Sequence, residues 1–277
     1  MKIVAHITFF YDPKRLGYLK EVINSLLELD SGIDIFLYTN EKFDLFRHSK
    51  NIKLLFYPYV NNKINFSYKS IFNKLGLKKL INPYYLTWEN RKIIEDVVDT
   101  YDIQIYLEDD IKFTNTNLNY WLNYNEIVTK KGYNLGFFRV EFDETEKMIT
   151  DLTRPLTKMV SIDNIDYIVN DNNPYCGFWI YSKEELKQFI KSKEWKFDFK
   201  QYGIREKSAI GWHGKGMRRY KETIIPLKKE IDKYMTTDDC TVHHLPNNYI
   251  NSNSFCSIKF PIILSKEIKH NAYCKLQ

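Results

Sequence analysis

Several common protein classes are excluded by what this chain lacks. It has four cysteines in 277 residues, at Cys176, Cys240, Cys256 and Cys274, and no two of them form a CxxC pair. That spacing argues against a structural zinc site, and nothing in it resembles a disulfide framework. A reducing compartment is the expected setting. No apolar run approaches the roughly 20 residues that span a bilayer. The strand-like start, residues 2–10, has no cleavage site. The expectation is a cytoplasmic protein without a transmembrane segment, or one peripheral to a membrane through its basic C-terminal half. The charge excess of +6 is small. It suits small anionic ligands and is too dispersed to argue for nucleic acid. No GxGxxG follows the first strand-like run, which disfavours a dinucleotide site.

Aromatic residues are abundant, with 21 Tyr and 18 Phe, a composition suited to stacking on bases and sugars. The N-terminal third has a clear order. Residues 2–10 (KIVAHITFF) are β-branched and aromatic and read as a strand buried on both faces. Tyr11-Asp12-Pro13 breaks the strand. Residues 15–29 carry a helical stripe at Leu16, Leu19, Val22, Ile23, Leu26 and Leu27, stopped by Asp30-Ser31-Gly32. Residues 33–38 (IDIFLY) and 52–57 (IKLLFY) read as further strands. This β-α-β-α-β alternation predicts a Rossmann-type, mostly parallel sheet flanked by helices. Ligands of such sheets bind outside the carboxyl ends of the strands, which draws attention to Phe9, Phe10, Tyr11, Thr39 and Asn40.

The fourth strand is the most informative stretch. Residues 103–107 (IQIYL) run into Glu108-Asp109-Asp110. Adjacent carboxylates repel and call for water or a cation, and an all-oxygen cluster suits a hard divalent metal. An apolar strand ending in acid-x-acid, in a chain of this size, resembles the DxD motif of GT-A-fold glycosyltransferases. The EDD form is similar to the variant of some inverting members. The resemblance covers most of the chain as an order of features. It implies an α/β, GT-A-like mixed sheet and a single domain over 1–277, with a nucleotide-binding half (1–113) and an acceptor-binding half (114–277). It also implies Mn²⁺ or Mg²⁺, a UDP- or GDP-sugar donor and a glycan acceptor. Asp110 carries over as the metal ligand, with Glu108 and Asp109 reaching the sugar, the ribose or metal-bound water.

Other residues follow from the same order. Residues 87–98 read as a helix with Thr87 as N-cap, and Arg91 shares a face with Trp88. The resemblance implies a diphosphate or base contact for Arg91; the residues alone allow an ion pair with Glu95. Arg139 and Glu141, two apart in a strand, sit on one face. Residues 182–185 (SKEE) form a capping box. The glycine-rich, basic segment 201–227 holds Glu206, the expected base of an inverting enzyme, and Lys215, an expected diphosphate contact. A retaining enzyme needs no such base. The pair His243-His244 follows; the two face opposite ways in a strand, and His244 is the preferred late metal ligand. A nucleotidyltransferase, which usually has a glycine-rich phosphate loop after strand one, and a non-catalytic carbohydrate-binding protein on the same fold are the alternatives.

Overall fold

The computed structural model describes residues 1–44, 49–57, 83–196, 203–211, 222–250, 252 and 254–265. The chain divides into two compact units. Unit 1 comprises Met1–Asp110 and Phe178–Gly211, and unit 2 comprises Ile111–Gly177 and Trp212–Gln277.

Unit 1 opens with β1 (Ile3–Phe9), all seven residues buried. A one-turn 3₁₀ helix, Pro13–Arg15, follows; the Asp12 side chain caps it and Pro13 supplies the preset φ. It leads into α1 (Leu16–Leu27), which buries Leu19, Val22, Ile23 and Leu26. Gly32, at φ +67°, turns the chain into β2 (Asp34–Thr39), and β3 is Ile52–Phe56. A second 3₁₀ helix, Pro83–Trp88, precedes α2 (Asn90–Val97). The helix expected from Thr87 therefore starts later. Thr87 does not cap it, because its hydroxyl donates instead to the Tyr84 carbonyl at 2.8 Å. The fully buried β4 (Ile103–Glu108) completes the parallel part of the sheet.

At Ile111 the chain enters unit 2, with β5 (Ile111–Lys112), α3 (Asn115–Thr129), β6 (Phe138–Phe142), β7 (Lys147–Ile149), β8 (Met159–Ile162) and β9 (Ile165–Asn170). It returns to unit 1 as β10 (Phe178–Ser182), α4 (Lys183–Lys191) and α5 (Ile204–Ile210). The expected capping box is present at the start of α4, where Ser182 and Glu185 satisfy each other's backbone N–H. Unit 2 then closes with β11 (Thr223–Pro226), β12 (Lys228–Lys229), β13 (Lys233–Met235), β14 (Thr241–His244), β15 (Ile258–Lys259) and β16 (Ile263–Ser265).

The sheet of unit 1 has the order β10-β4-β1-β2-β3. Its β4-β1-β2-β3 part is parallel, and β10 adds an antiparallel edge against β4. The expected α/β class with a mostly parallel sheet is what this unit shows. The largest sheet of unit 2 is mixed, in the order β15-β7-β6-β14-β5. The hairpin expected from residues 150–169 is β8–β9. No described helix is long and apolar enough to cross a membrane. The expected excursion at 61–80 lies outside the described residues.

His6 ties three strands of unit 1 together. It is fully buried in β1, with Nδ1 2.8 Å from the Tyr38 hydroxyl of β2 and Nε2 2.9 Å from Gln104 Oε1 of β4. Burial lowers its pKa to about 3, against the Gln104 hydrogen bond and with help from the charge of Arg91. The unfolded chain thus takes up a proton below about pH 6.5 that the native protein refuses until about pH 3. This group's contribution to stability is lost as pH falls through that window, by at most about 1.4 kcal/mol per pH unit. Asp109, described below, acts in the opposite sense, so the test is a difference. The stability cost of His6→Gln, from urea unfolding, is expected to shrink between about pH 7 and about pH 5. A cost independent of pH would refute a neutral His6.

Candidate functional site

The carboxyl ends of β1 and β4 open onto a cavity of about 330 Å³ that lies entirely within unit 1. β1 and the loop after it contribute Thr8, Phe10, Asp12 and Arg15, and β4 contributes Tyr106 with the acids Glu108, Asp109 and Asp110. The 3₁₀ helix Pro83–Trp88 supplies Tyr84, Leu86 and Thr87, and α5 supplies Arg205. Strand geometry explains this selection. Thr8 lies opposite Glu108 in the parallel register, and side chains two apart share a face. Thr8 and Phe10 therefore line the cavity. Phe9 points the other way and is fully buried in the core, against the rings of Tyr11 and Phe43.

The three acids are all at least nine-tenths buried. Arg15 neutralises two of them. Its Nε donates to Asp109 Oδ2 at 2.9 Å, and its Nη2 donates to Asp109 Oδ1 at 3.0 Å and to Asp110 Oδ2 at 2.8 Å. Even so, the Asp109 pKa is raised to about 6, because burial and the neighbouring Asp110 charge outweigh Arg15. Arg205 Nε stands 3.6 Å from Glu108 Oε1, and the guanidinium lies over the Tyr84 ring at 5.9 Å. The buried Tyr106 hydroxyl in the lining interacts with the hydroxyls of Thr8 and Ser208.

The seat of Arg205 is built from aromatic side chains. Trp88 Nε1 donates to the Ile204 carbonyl at 2.9 Å, and Trp179 Nε1 to the Ser208 carbonyl at 3.1 Å. The Ser208 hydroxyl donates to the Thr87 carbonyl at 2.6 Å. These bonds fasten α5 to β10 and to the 3₁₀ helix that carries Tyr84 and Thr87.

Arg91, expected at a diphosphate, serves this scaffold instead. Its guanidinium is buried 3.9 Å from the Trp195 ring centroid and 4.8 Å from that of Trp88, with Phe189 at 5.6 Å. Burial lowers its pKa to about 10, and its Nη2 donates to the Ser208 carbonyl at 3.4 Å. It does not line the cavity. The ion pair with Glu95 does not form either, since Glu95 Oε1 accepts from Trp195 Nε1 at 2.6 Å. The aromatic faces and indole donors of this region outcompete a solvent-facing role.

The other expected site residues scatter. Tyr11 is half-buried, and its backbone N–H donates to Asn40 Oδ1 at 2.7 Å. Thr39 is fully buried, with its hydroxyl on the Glu41 carbonyl. Neither lines the cavity. Glu206 is exposed and folds back over the N-terminus of α5, so closely that a Cβ on Gly203 would collide with its carboxylate. It is the neighbouring Arg205 that faces the acids. Lys215 lies outside the described residues.

His244 is buried in unit 2, where its Nδ1 bonds to the fully buried Glu141 and its ring stacks on Tyr249. His243 faces the other way, stacked on Phe142 and bonded to Asn247. No group of three His, Cys, Asp or Glu side chains among the described residues is arranged to hold a metal. Asp110 belongs to unit 1 and His244 to unit 2. Sequence reasoning missed Arg15 and underused Arg205. Arg15 follows strand one by six residues, and only the register of β1 with β4 brings it to the acids.

No protein-family model matches the chain, and no curated protein matches it. Solved structures show a distant likeness. The crystal structure of S. aureus TarS 1–349 matches over 82% of this chain and 57% of its own, at 10% identity and a TM-score of 0.38. A longer TarS structure matches over 88% and 36%, at 10% identity and a TM-score of 0.38. An active-site mutant of LgtC matches over 69% and 62%, at 14% identity and a TM-score of 0.33. The chain thus spans 36% to 62% of the length of these proteins, which are glycosyltransferases. The functional reading rests on the residues of the cavity.

Proposed function

We propose that this protein is a glycosyltransferase that seats a UDP- or GDP-sugar at the unit 1 cavity and passes the sugar to a hydroxyl of a glycan acceptor. The observation that carries the reading is three consecutive buried carboxylates at the carboxyl end of β4, opening with two guanidiniums onto a cavity walled by Phe10, Tyr84 and Tyr106. The parts suit such a donor. Aromatic faces stack on a base or sugar ring. Carboxylates accept from ribose or sugar hydroxyls, and guanidiniums pair with phosphate oxygens.

The all-oxygen chemistry of Asp109 and Asp110 suits a hard divalent cation held by two protein side chains; no group among the described residues supplies three. Three carboxylates face two guanidiniums, and the donors are all oxygen. Asp109 and Asp110 would hold Mn²⁺ or Mg²⁺, with remaining positions left to diphosphate and water, as is usual where few protein ligands are available. Such an ion would offset charge on the leaving diphosphate. Glu206 has no place in this assignment, because its side chain is exposed and outside the cavity lining.

The test is thermal unfolding with UDP, GDP, CDP and ADP, each with and without Mn²⁺. A ligand at about 100 times its dissociation constant adds about 2.7 kcal/mol. One nucleotide that stabilises only with the metal would support the reading and name the base. A well-folded protein that responds to none of them would leave a non-catalytic carbohydrate-binding role.

A further inference from the structure

The contacts of Arg15 impose a condition on any cation that enters the site. Three of the four carboxylate oxygens of Asp109 and Asp110 accept hydrogen bonds from this one guanidinium, at 2.8 to 3.0 Å. A divalent ion needs several oxygens at once. Each of these oxygens keeps a second lone pair, but a guanidinium and a metal ion in contact with the same oxygens repel each other, so the two cations compete for the pair of carboxylates. The guanidinium is also the accessible side of the bridge. The Arg15 side chain is 35% exposed, whereas those of Asp109 and Asp110 are 12% and 8% exposed. The backbone below it is pinned by the Asp12 cap on the Lys14 backbone N–H at 2.9 Å, so release needs only side-chain rotation. Arg15 lines the same cavity as Thr8, Phe10 and Arg205, so a released guanidinium stays within the volume a diphosphate would enter.

We propose that Arg15 is an internal counter-cation that a divalent metal displaces from Asp109 and Asp110, and that the freed guanidinium then pairs with the diphosphate of the donor. This rests on the donor-site reading above and adds an exchange to it: the resting site is neutralised from within, and metal and diphosphate enter as a coupled pair. Coupling of this kind is reciprocal, each ligand raising affinity for the other.

The experiment is titration of Mn²⁺ alone, followed by the electron paramagnetic resonance signal of the free ion, on wild type, Arg15→Met, Arg15→Lys and Asp110→Asn. Arg15→Met is expected to bind Mn²⁺ at least ten-fold more tightly than wild type, and Asp110→Asn to bind it least. Arg15→Lys, whose single ammonium cannot span both carboxylates, should also exceed wild type, and it replaces Arg15→Met if that variant fails to fold. Mn²⁺ bound by wild type as tightly as by the Arg15 variants would overturn the exchange and leave the donor-site reading standing. Mn²⁺ bound by none of the proteins would overturn the exchange together with the metal part of that reading. The second half of the proposal is read by calorimetry with inorganic pyrophosphate and Mg²⁺. Arg15→Met should bind pyrophosphate at least ten-fold more weakly than wild type, and equal binding would overturn the phosphate role.

Discussion

Asp110→Ala is expected to lower sugar transfer by about 100-fold or more while leaving the fold intact. Removing one preorganised charge from a water-excluded site commonly costs two to three orders of magnitude in rate. The stability side differs. Asp109 and Asp110 are adjacent, buried and mutually repulsive, and the Asp110 charge helps hold the Asp109 pKa up at about 6. After the substitution Arg15 keeps both of its hydrogen bonds to Asp109. Relief of the repulsion offsets the lost contact to Asp110, so the unliganded variant is expected to melt close to wild type. If the proposed donor site is right, the roughly 2.7 kcal/mol that a nucleotide with metal would add at about 100 times its dissociation constant should vanish. The measurement is release of nucleoside diphosphate from a nucleotide sugar, paired with thermal unfolding with and without ligand. An unliganded variant that collapses, or one that transfers at the wild-type rate, would contradict this expectation.

Arg139→Met is expected to cost about 3–5 kcal/mol, the usual range for breaking a buried pair and stranding its partner. In unit 2, Arg139 of β6 donates to both carboxylate oxygens of Asp151, each at 2.8 Å, with both side chains under one-tenth exposed. Thr150 Oγ1 accepts from Arg139 Nε at 2.9 Å, and the rings of Tyr175 and Tyr249 lie 5.1 and 5.6 Å from the guanidinium. Without Arg139 the Asp151 carboxylate stays in that low-dielectric setting uncompensated. The double variant Arg139→Met/Asp151→Leu removes both charges and should recover most of the loss. Urea unfolding of both singles and the double gives the coupling directly. A single variant within about 1 kcal/mol of wild type would show that the pair carries no such weight.

The local order of the chain is legible in its sequence because it depends on near neighbours. Periodicity in residues 2–57 is enough to infer a parallel β-α-β series. Ser182 and Glu185 announce their own capping box, and the two-residue spacing of Arg139 and Glu141 puts both on one buried face. Glu108, Asp109 and Asp110 stand out because three acids at the end of an apolar strand are costly without a counter-charge. The source of that counter-charge is not legible. Arg15 and Asp109 are 94 residues apart, and their meeting depends on the pairing of β1 with β4. The same pairing decides strand parity at the rim, where a one-residue difference moves a side chain to the opposite face. Thr8 and Phe10 therefore line the cavity, and Phe9 does not.

Arg91 and Glu206 mark the same boundary from the other side. Both are ionisable residues at plausible places in the order of the chain. Arg91 is enclosed by Trp88, Phe189 and Trp195, drawn from well-separated stretches, and Glu206 folds back on Gly203 at the start of α5. Sequence by itself determined the α/β class, the acid cluster and the strand that carries it, since these follow from composition and spacing over a few residues. Tertiary structure alone decided which cations meet those acids and which aromatic rings wall the cavity. Such contacts are set by strand register and by packing between distant segments, and neither leaves a periodic signal along the chain.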